Sequence, residues 1–192
     1  MNKDIDIEEF LESVFNSERI YPLQRKLNVE YEVAYQLDYI VNEGCEVVSI
    51  FENKEKILIL YRQFYDDTPK KEEPFIILNL KIITKEGILA PEPFLRAVFD
   101  KEYNNIDLAD IDIKKPFINQ SYGSILLGSL IDIAKKMNVD RITGWISEVD
   151  KDHIQRLVHF YKKHGFEVIL KEDINHSKKI GDVIWINKES LK

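Results

Sequence analysis

The chain has 192 residues, 44% of them hydrophobic and 32% charged, a length that suits one hydrophobic core better than two independent ones. Its formal net charge of −7, and the lack of a basic block interleaved with aromatic residues, argue against a nucleic-acid partner. The single cysteine, Cys45, excludes an internal disulfide framework, and the sequence shows no leader peptide and no long apolar run. We therefore expect a cytoplasmic protein without a membrane partner.

The first half of the chain is predicted to form helices and then strands. Helical spacing of apolar residues predicts one helix over residues 5–15 and a second over residues 28–44, ending at Gly44. The apolar side of the second helix contains Val33, Leu37, Ile40 and Val41. Two strands are predicted on either side of a polar turn at residues 52–56, and FIILNLKIIT, residues 75–84, predicts a third. The segment EPFLRAVFDKEY, residues 92–103, is assigned one or two turns of helix.

The second half alternates strands and helices. Strands are predicted at residues 106–113, 141–147, 166–171 and 182–187, with helices at residues 124–138 and 152–166, the latter ended by Gly165. This order predicts a mixed α/β fold whose central, mostly antiparallel sheet carries helices on both faces. We treat residues 1–192 as one domain, with residues 106–192 as its second half. Trp145 and Trp185 lie within apolar strands and are predicted to be core residues.

The strand at residues 106–113 changes phase partway along. Ile106 and Leu108 fall on even positions, whereas Ile111 and Ile113 fall on odd ones. If one face of the strand is buried, a β-bulge near Ala109 and Asp110 is needed, and it would free a backbone amide from the ladder. A strand buried on both faces would explain the same pattern.

A loop of small and polar residues, INQSYGS, leads directly into the helix predicted at Ser124. Amides that converge at the start of a helix suit a phosphate or a diphosphate, and Gly123 would let such a ligand approach closely. A simple helix cap would use the same residue types.

Two motifs in this half resemble the GNAT superfamily of acyl-CoA-dependent N-acetyltransferases. The first is the loop at residues 118–123, where the family pattern has Arg or Gln, two variable residues, Gly, a variable residue, and Gly or Ala. Gly123 matches the last position, whereas Ile118 and Ser121 depart from the pattern. The second motif, YKKHGF at residues 161–166, matches the Tyr-x-Lys-x-Gly-Phe ending of the family's fourth helix. Ile154 stands where the family often has asparagine.

The resemblance implies transfer of an acetyl group from acetyl-CoA to a primary amine by direct attack. It implies that backbone and side chains of the loop, the following helix and the preceding strand bind the acetyl-CoA co-substrate, together with residues at the start of the last helix. These predicted cofactor-binding residues are Ile111, Ile113, Gln120, Ser121, Tyr122, Gly123, Ser124, Asp152 and Arg156. It also implies Tyr161 as the donor to the leaving thiolate.

The base that takes the amine proton is left open among Asp110, Asp112, Glu148 and a water chain, and Asp112 and Glu148 are our candidates. The expected acceptor is a small amine or a lysine-like group, and a homodimer is one arrangement left open. No metal is expected, because His153, His159, His164 and His176 lack the spacing of a zinc site. A non-catalytic module of the same fold, binding CoA or a protein partner, is the alternative.

Overall fold

A computed structural model describes residues 19–23, 28–53, 55–65, 68–70, 72–171 and 178–190. The helix predicted at residues 5–15 therefore lies outside the described residues. The described helices are α1 (Val29–Asn42), α2 (Tyr122–Lys136) and α3 (Ile154–Lys163). The described strands are β1 (Arg19–Tyr21), β2 (Glu46–Asn53), β3 (Lys56–Gln63), β4 (Phe75–Thr84), β5 (Ile88–Ala90), β6 (Phe94–Phe99), β7 (Asn105–Asp112), β8 (Arg141–Ser147), β9 (Glu167–Leu170) and β10 (Lys179–Ile186).

The chain forms two compact units that interleave along the sequence. The first contains Met1–Asp66, Leu78–Phe94 and Asp112–Gly123. In it β2 pairs with β3, β3 also neighbours β4, and β5 pairs with both β4 and β1. Ile40 of α1 is buried with Ile59 of β3 and Ile83 of β4, and Val33, Leu37 and Cys45 pack against this cluster. Apolar contacts of this kind fix α1 on the sheet of the first unit.

The second unit contains Asp67–Ile77, Leu95–Ile111 and Ser124–Lys192. Here β6 neighbours β7, β7 runs parallel to β8, and β10 lies antiparallel between β8 and β9. The predicted class, mixed α/β with a mostly antiparallel sheet, is confirmed. The predicted placement of helices on both faces stays a prediction, as does the treatment of the chain as one domain.

The ends of the helices follow the predicted signals. Asn28 caps α1, since its side-chain oxygen accepts a 2.8 Å hydrogen bond from the Tyr31 amide, and Gly44 follows the helix with φ +76°. Gly165 ends α3 with φ +82°, and the amide of Phe166 donates to the carbonyl of Tyr161 at 3.1 Å. A left-handed glycine with such a bond back into the last turn is a common helix stop.

Several sequence predictions are wrong in detail. The segment predicted to be helical at residues 92–103 contains strand β6, in which Leu95, Ala97 and Phe99 are buried at alternate positions. That period of two is the strand signal, and it outweighs the helix propensity of the individual residues. Val41 is 58% exposed, whereas Gln36 is buried on α1 and donates a hydrogen bond to Glu32. The short strands β1 and β5 were not predicted.

The two tryptophans differ in their exposure to solvent. Trp185 of β10 is buried, as predicted, but Trp145 of β8 is 51% exposed, so its assignment to the core is wrong. In β8 Ile142, Gly144 and Ile146 are the buried positions, and Trp145 alternates with them onto the other face. A strand with one buried face exposes every second residue regardless of its hydrophobicity.

Candidate functional site

The loop before α2 has an unusual backbone. Asn119 has φ +65° and Ser121 has φ +66°, so two non-glycine residues within three positions adopt the left-handed conformation. That conformation costs most residue types about 1–2 kcal/mol, and a glycine would avoid the cost. Ser121 stands where the resembled motif has its first glycine. The structure thus supplies a physical reason for glycine at this position.

Helix α2 begins two residues earlier than predicted. Tyr122 is its first residue, so Gly123 and Ser124 lie within the first turn and are not the joint before it. The left-handed backbone belongs to Asn119 and Ser121, and the role assigned to Gly123 as the flexible joint needs this correction. Tyr122 and Gly123 are buried, whereas Gln120 and Ser121 are exposed.

The loop is anchored from both sides by aromatic residues. Phe117, in the 3-10 turn Lys115–Phe117, is 1% exposed, and its ring lies 6.2 Å from that of Tyr122. The Tyr122 hydroxyl donates to Oε1 of Gln120 at 3.0 Å. Packing on one side and a hydrogen bond on the other fix the position of the exposed loop residues between these rings.

Strand β7 changes its environment at the predicted place. Its parallel ladder with β8 runs from Asn105–Arg141 to Leu108–Gly144 and goes no further in the described register. A Cβ on Gly144 would lie 3.0 Å from the Leu108 carbonyl oxygen, so the two backbones approach closely at this last pair.

Ala109 and Asp110, which follow the last pair, are both exposed, and Ile111 and Ile113 are half-buried. The strand is therefore not buried on both faces, and the break in alternation falls where the sequence predicted a bulge. The bulge itself stays a prediction.

In the second unit Tyr161 lies in an apolar setting. Its ring centroid is 5.3 Å from that of Phe160 and 5.5 Å from that of Phe166. Burial, reinforced by the negative charges of Asp150 and Asp110, raises the pKa of the Tyr161 hydroxyl to about 12. The hydroxyl is therefore protonated at neutral pH. The structure thus brings Tyr161 within the electrostatic influence of Asp110, one of the base candidates.

Asp150 is a carboxylate that the sequence reasoning missed. Its Oδ2 accepts a 3.3 Å hydrogen bond from the Ser147 amide, and the Ser147 hydroxyl accepts a 3.4 Å bond from the Val149 amide. This reciprocal cap starts the 3-10 helix Glu148–His153, which leads into α3. The spacing Ser-x-x-Asp at residues 147–150 is a capping signal and could have identified this carboxylate.

The other side chains that the sequence predicted for the site lie on different elements of the fold. Glu148 is exposed, and its amide donates to the Lys178 carbonyl at 2.8 Å. Asp152 and Arg156 are exposed near the start of α3. In the first unit Asp112 forms a 2.9 Å ion pair with Lys114.

The first unit also has a cavity of about 350 Å³ that the sequence did not indicate, lined by Tyr39, Ile40, Glu43, Cys45, Tyr61, Gln63, Phe64, Tyr65 and Lys81. Glu92 accepts hydrogen bonds from two of the residues that line this cavity. One carboxylate oxygen accepts from the Lys81 ammonium at 2.6 Å, and the other accepts from the Tyr61 hydroxyl at 2.7 Å. Burial and the Glu92 carboxylate raise the pKa of Tyr61.

The residues that the structure describes include neither a metal-binding group nor a membrane-spanning helix. No group of three or more His, Cys, Asp or Glu side chains in them could hold a metal ion. Within the same residues, no helix has the length and apolar character needed to cross a membrane.

Comparison with known proteins gives a family match over part of the chain. Residues 88–166, which include the loop at 118–123, Asp110, Asp150 and Tyr161, match the model of the acetyltransferase (GNAT) family. The predicted resemblance to this family is therefore confirmed over residues 88–166.

A curated relative is the protein YocC of Bacillus subtilis (strain 168). It is 41% identical over 76 residues, which are 40% of this chain and 43% of YocC. The match thus spans less than half of the relative's length.

Solved structures show a distant likeness. The IAA acetyltransferase of Bacillus cereus ATCC 14579 aligns with a TM-score of 0.48 and 10% identity, over 68% of this chain and 99% of that one. The PaiA N-acetyltransferase of Thermoplasma acidophilum, in complex with coenzyme A, aligns with a TM-score of 0.41 and 17% identity, over 58% and 61% of the two chains.

Proposed function

We propose that the protein transfers an acetyl group from acetyl-CoA to a primary amine. The observation that carries the proposal is the GNAT-family match over residues 88–166, within which the left-handed loop and the half-buried Tyr161 both lie. In this proposal the amine nitrogen attacks the thioester carbonyl carbon directly, the carbon–sulfur bond breaks, and CoA leaves as a thiolate.

The loop at residues 118–123 would bind the diphosphate of acetyl-CoA. Left-handed residues turn successive amides toward one side of a loop, and such amides suit phosphate oxygens. Gln120, Ser121, Tyr122, Gly123 and Ser124 are the residues of this part of the proposal. Because Ile118 carries no polar group, recognition would depend mainly on backbone donors.

The end of β7 would position the thioester. The described parallel register between β7 and β8 ends at Leu108, and Ile111 and Ile113 follow it. The amides of Ile111 and Ile113 are proposed to bind the pantetheine arm and to donate to the carbonyl oxygen as it gains negative charge. Asp152 and Arg156 are proposed to contact the same co-substrate from the start of α3.

Tyr161 would stabilise the departing thiolate by hydrogen bonding. A thiol has a pKa of about 8.5, so a phenol with a pKa of about 12 is the weaker acid and favours donating a hydrogen bond over complete proton transfer. For the amine proton we propose Asp110, which is exposed on β7 and acts electrostatically on Tyr161. Asp112, Glu148 and a water chain are the other routes.

The acceptor is proposed to be a small amine or a lysine-like group that carries positive charge. An excess of seven acidic charges over the chain raises the local concentration of cations. A reducing compartment is consistent with the single thiol of Cys45, and we place the reaction in the cytoplasm.

The second candidate is a non-catalytic module that binds CoA. Three departures from the family pattern favour it, namely Ile118, Ser121 and Ile154. A module would bind acetyl-CoA and release no thiol with any amine, whereas an enzyme would do both. Calorimetric titration followed by a thiol-release assay with a panel of amines separates the two.

The first prediction tests the loop. Acetyl-CoA at one hundred times its dissociation constant should stabilise the folded protein by about 2.7 kcal/mol, because it binds only the folded state. Ser121→Gly should keep this stabilisation, since glycine accepts φ +66°. Ser121→Val should lose most of it, because a β-branched residue resists that conformation. Equal ligand-induced shifts in both variants, measured by thermal unfolding, would remove the loop from the binding site.

A further inference from the structure

Lys56 reaches the loop from a distant part of the sequence. It is the first residue of β3, opposite Asn53 in the turn that joins β2 to β3. Its ammonium nitrogen donates to Oε1 of Gln120 at 2.8 Å and to the Tyr122 hydroxyl at 3.3 Å. The side chain thus touches two of the residues that we assign to diphosphate binding.

The positive charge of Lys56 is not neutralised by these contacts. An amide oxygen and a phenol are both uncharged, and in the part of the chain that the structure describes no carboxylate pairs with this ammonium. By contrast, Lys81, Lys114 and Lys179 form ion pairs with Glu92, Asp112 and Asp182. The Lys56 ammonium is half-buried, and an anion from outside the chain would offset the cost of partly removing this charge from water.

The loop itself supplies no cation. Residues 118–124, INQSYGS, contain no lysine or arginine, and Ile118 occupies the position where the family pattern has Arg or Gln. An ammonium has three N–H donors, and two of those on Lys56 are directed at the loop. The third can be donated to a ligand oxygen without breaking either contact.

We propose that Lys56 binds the diphosphate of acetyl-CoA and provides the positive charge that the loop lacks. This inference rests on the proposed function. It assigns a co-substrate contact to the β2–β3 turn, which lies outside the family-matched residues 88–166. Gln120 and Tyr122 hold the ammonium in position, so the chain uses a cation from another element in place of one within the motif.

The test compares two ligands and three variants by calorimetry. CoA carries both the diphosphate and a 3′-phosphate, whereas dephospho-CoA keeps only the diphosphate. Lys56→Met should weaken the binding of both ligands about ten-fold or more, because a charge-assisted hydrogen bond is lost. Lys56→Arg should restore most of the affinity. Lys85→Met, a change of equal charge in the exposed turn after β4, should bind like the unchanged protein.

The dependence of affinity on ionic strength distinguishes a direct contact between Lys56 and the diphosphate from a role of Lys56 in supporting the loop alone. Added salt screens an ammonium–diphosphate contact, so the affinity of the unchanged protein should fall more steeply with NaCl than that of Lys56→Met. Unchanged affinity of Lys56→Met for both ligands would overturn the proposal, and so would a loss for CoA alone, which would indicate the 3′-phosphate. Equal salt dependence of the two proteins would also overturn it. If the unchanged protein bound neither ligand, the proposed function would fail as well.

Discussion

At Tyr161, burial contributes more than the neighbouring carboxylates to the raised pKa of the hydroxyl. The apolar rings of Phe160 and Phe166 flank the phenol, and a charged phenolate is costly in such a setting. The hydroxyl therefore keeps its proton over the whole physiological range. A residue that keeps its proton and lies on the family-matched segment is suited to donate a hydrogen bond.

Tyr161→Phe should lower turnover about 100-fold or more while acetyl-CoA affinity changes little, because the variant deletes only the donor to the leaving group. Steady-state rates and calorimetry measure the two quantities under conditions where chemistry limits the rate. Tyr35→Phe, at an exposed position of α1, is the matched control and should behave like the unchanged protein. If Tyr161→Phe turned over at the same rate as the control, Tyr161 would have a packing role and no role in the reaction.

Tyr161→Phe should also change how the stability of the protein depends on pH in the alkaline range. The ordinary pKa of a tyrosine is 10.0, and that of Tyr161 in the folded protein is about 12. Its contribution to stability is full below pH 10 and is lost as the pH rises toward 12, since the unfolded chain ionises first. Denaturant unfolding of Tyr161→Phe should therefore show a shallower alkaline decline than the unchanged protein. An equally steep decline would mean that the pKa of Tyr161 is not raised in the folded protein.

At the scale of elements, Glu92 joins two strands of the first unit. It follows β5 and accepts from Tyr61 of β3 and from Lys81 of β4. The Lys81 side chain is 11% exposed and that of Glu92 is 25% exposed, so the pair lies largely out of water. Removing one charge from such a pair leaves the other without compensation.

Glu92→Gln should therefore destabilise the fold by about 3 kcal/mol, although the amide has nearly the shape of the carboxylate. Urea unfolding gives the change in the free energy of unfolding. The double variant with Lys81→Met and Glu92→Leu should lose less than Glu92→Gln does, because it leaves no buried charge. A loss below about 1 kcal/mol for Glu92→Gln would show that the pair behaves like a surface ion pair.

At the scale of the whole molecule, the net charge of −7 bears on the acceptor. A field of this sign attracts cations before any specific contact forms, and salt weakens the attraction beyond a Debye length of about 10 Å at 0.1 M. We propose on this basis that the protein, acting as the proposed acetyltransferase, prefers an acceptor that keeps a positive charge when the reacting nitrogen has lost its proton.

Two acceptors of similar length test this preference. The value of kcat/KM for 1,5-diaminopentane should exceed that for 6-aminohexanoate, and the difference should shrink as NaCl is added, because screening weakens both attraction and repulsion. A higher kcat/KM for the carboxylate-bearing acceptor would contradict the proposal. If salt left the preference unchanged, its cause would be a local contact with the acceptor and not the overall charge of the protein.

The sequence by itself determined the features that depend on neighbours along the chain. Periodicity located α1, β4, β8 and most of α3, and the glycines at positions 44 and 165 marked two helix ends. These signals are local because a helix turn or a strand alternation spans only a few residues. For the same reason the loop and the YKKHGF motif were sufficient to indicate the family.

Only the tertiary structure decided which distant residues meet. Lys56 and Gln120 are 64 positions apart, and nothing in either segment indicates that their side chains touch. The exposure of Trp145 and the influence of Asp150 on Tyr161 likewise depend on how strands and turns pack. The left-handed φ of Ser121, in a loop whose neighbours Phe117 and Tyr122 pack ring against ring, could not be predicted either, because a serine has no preference for that conformation on its own.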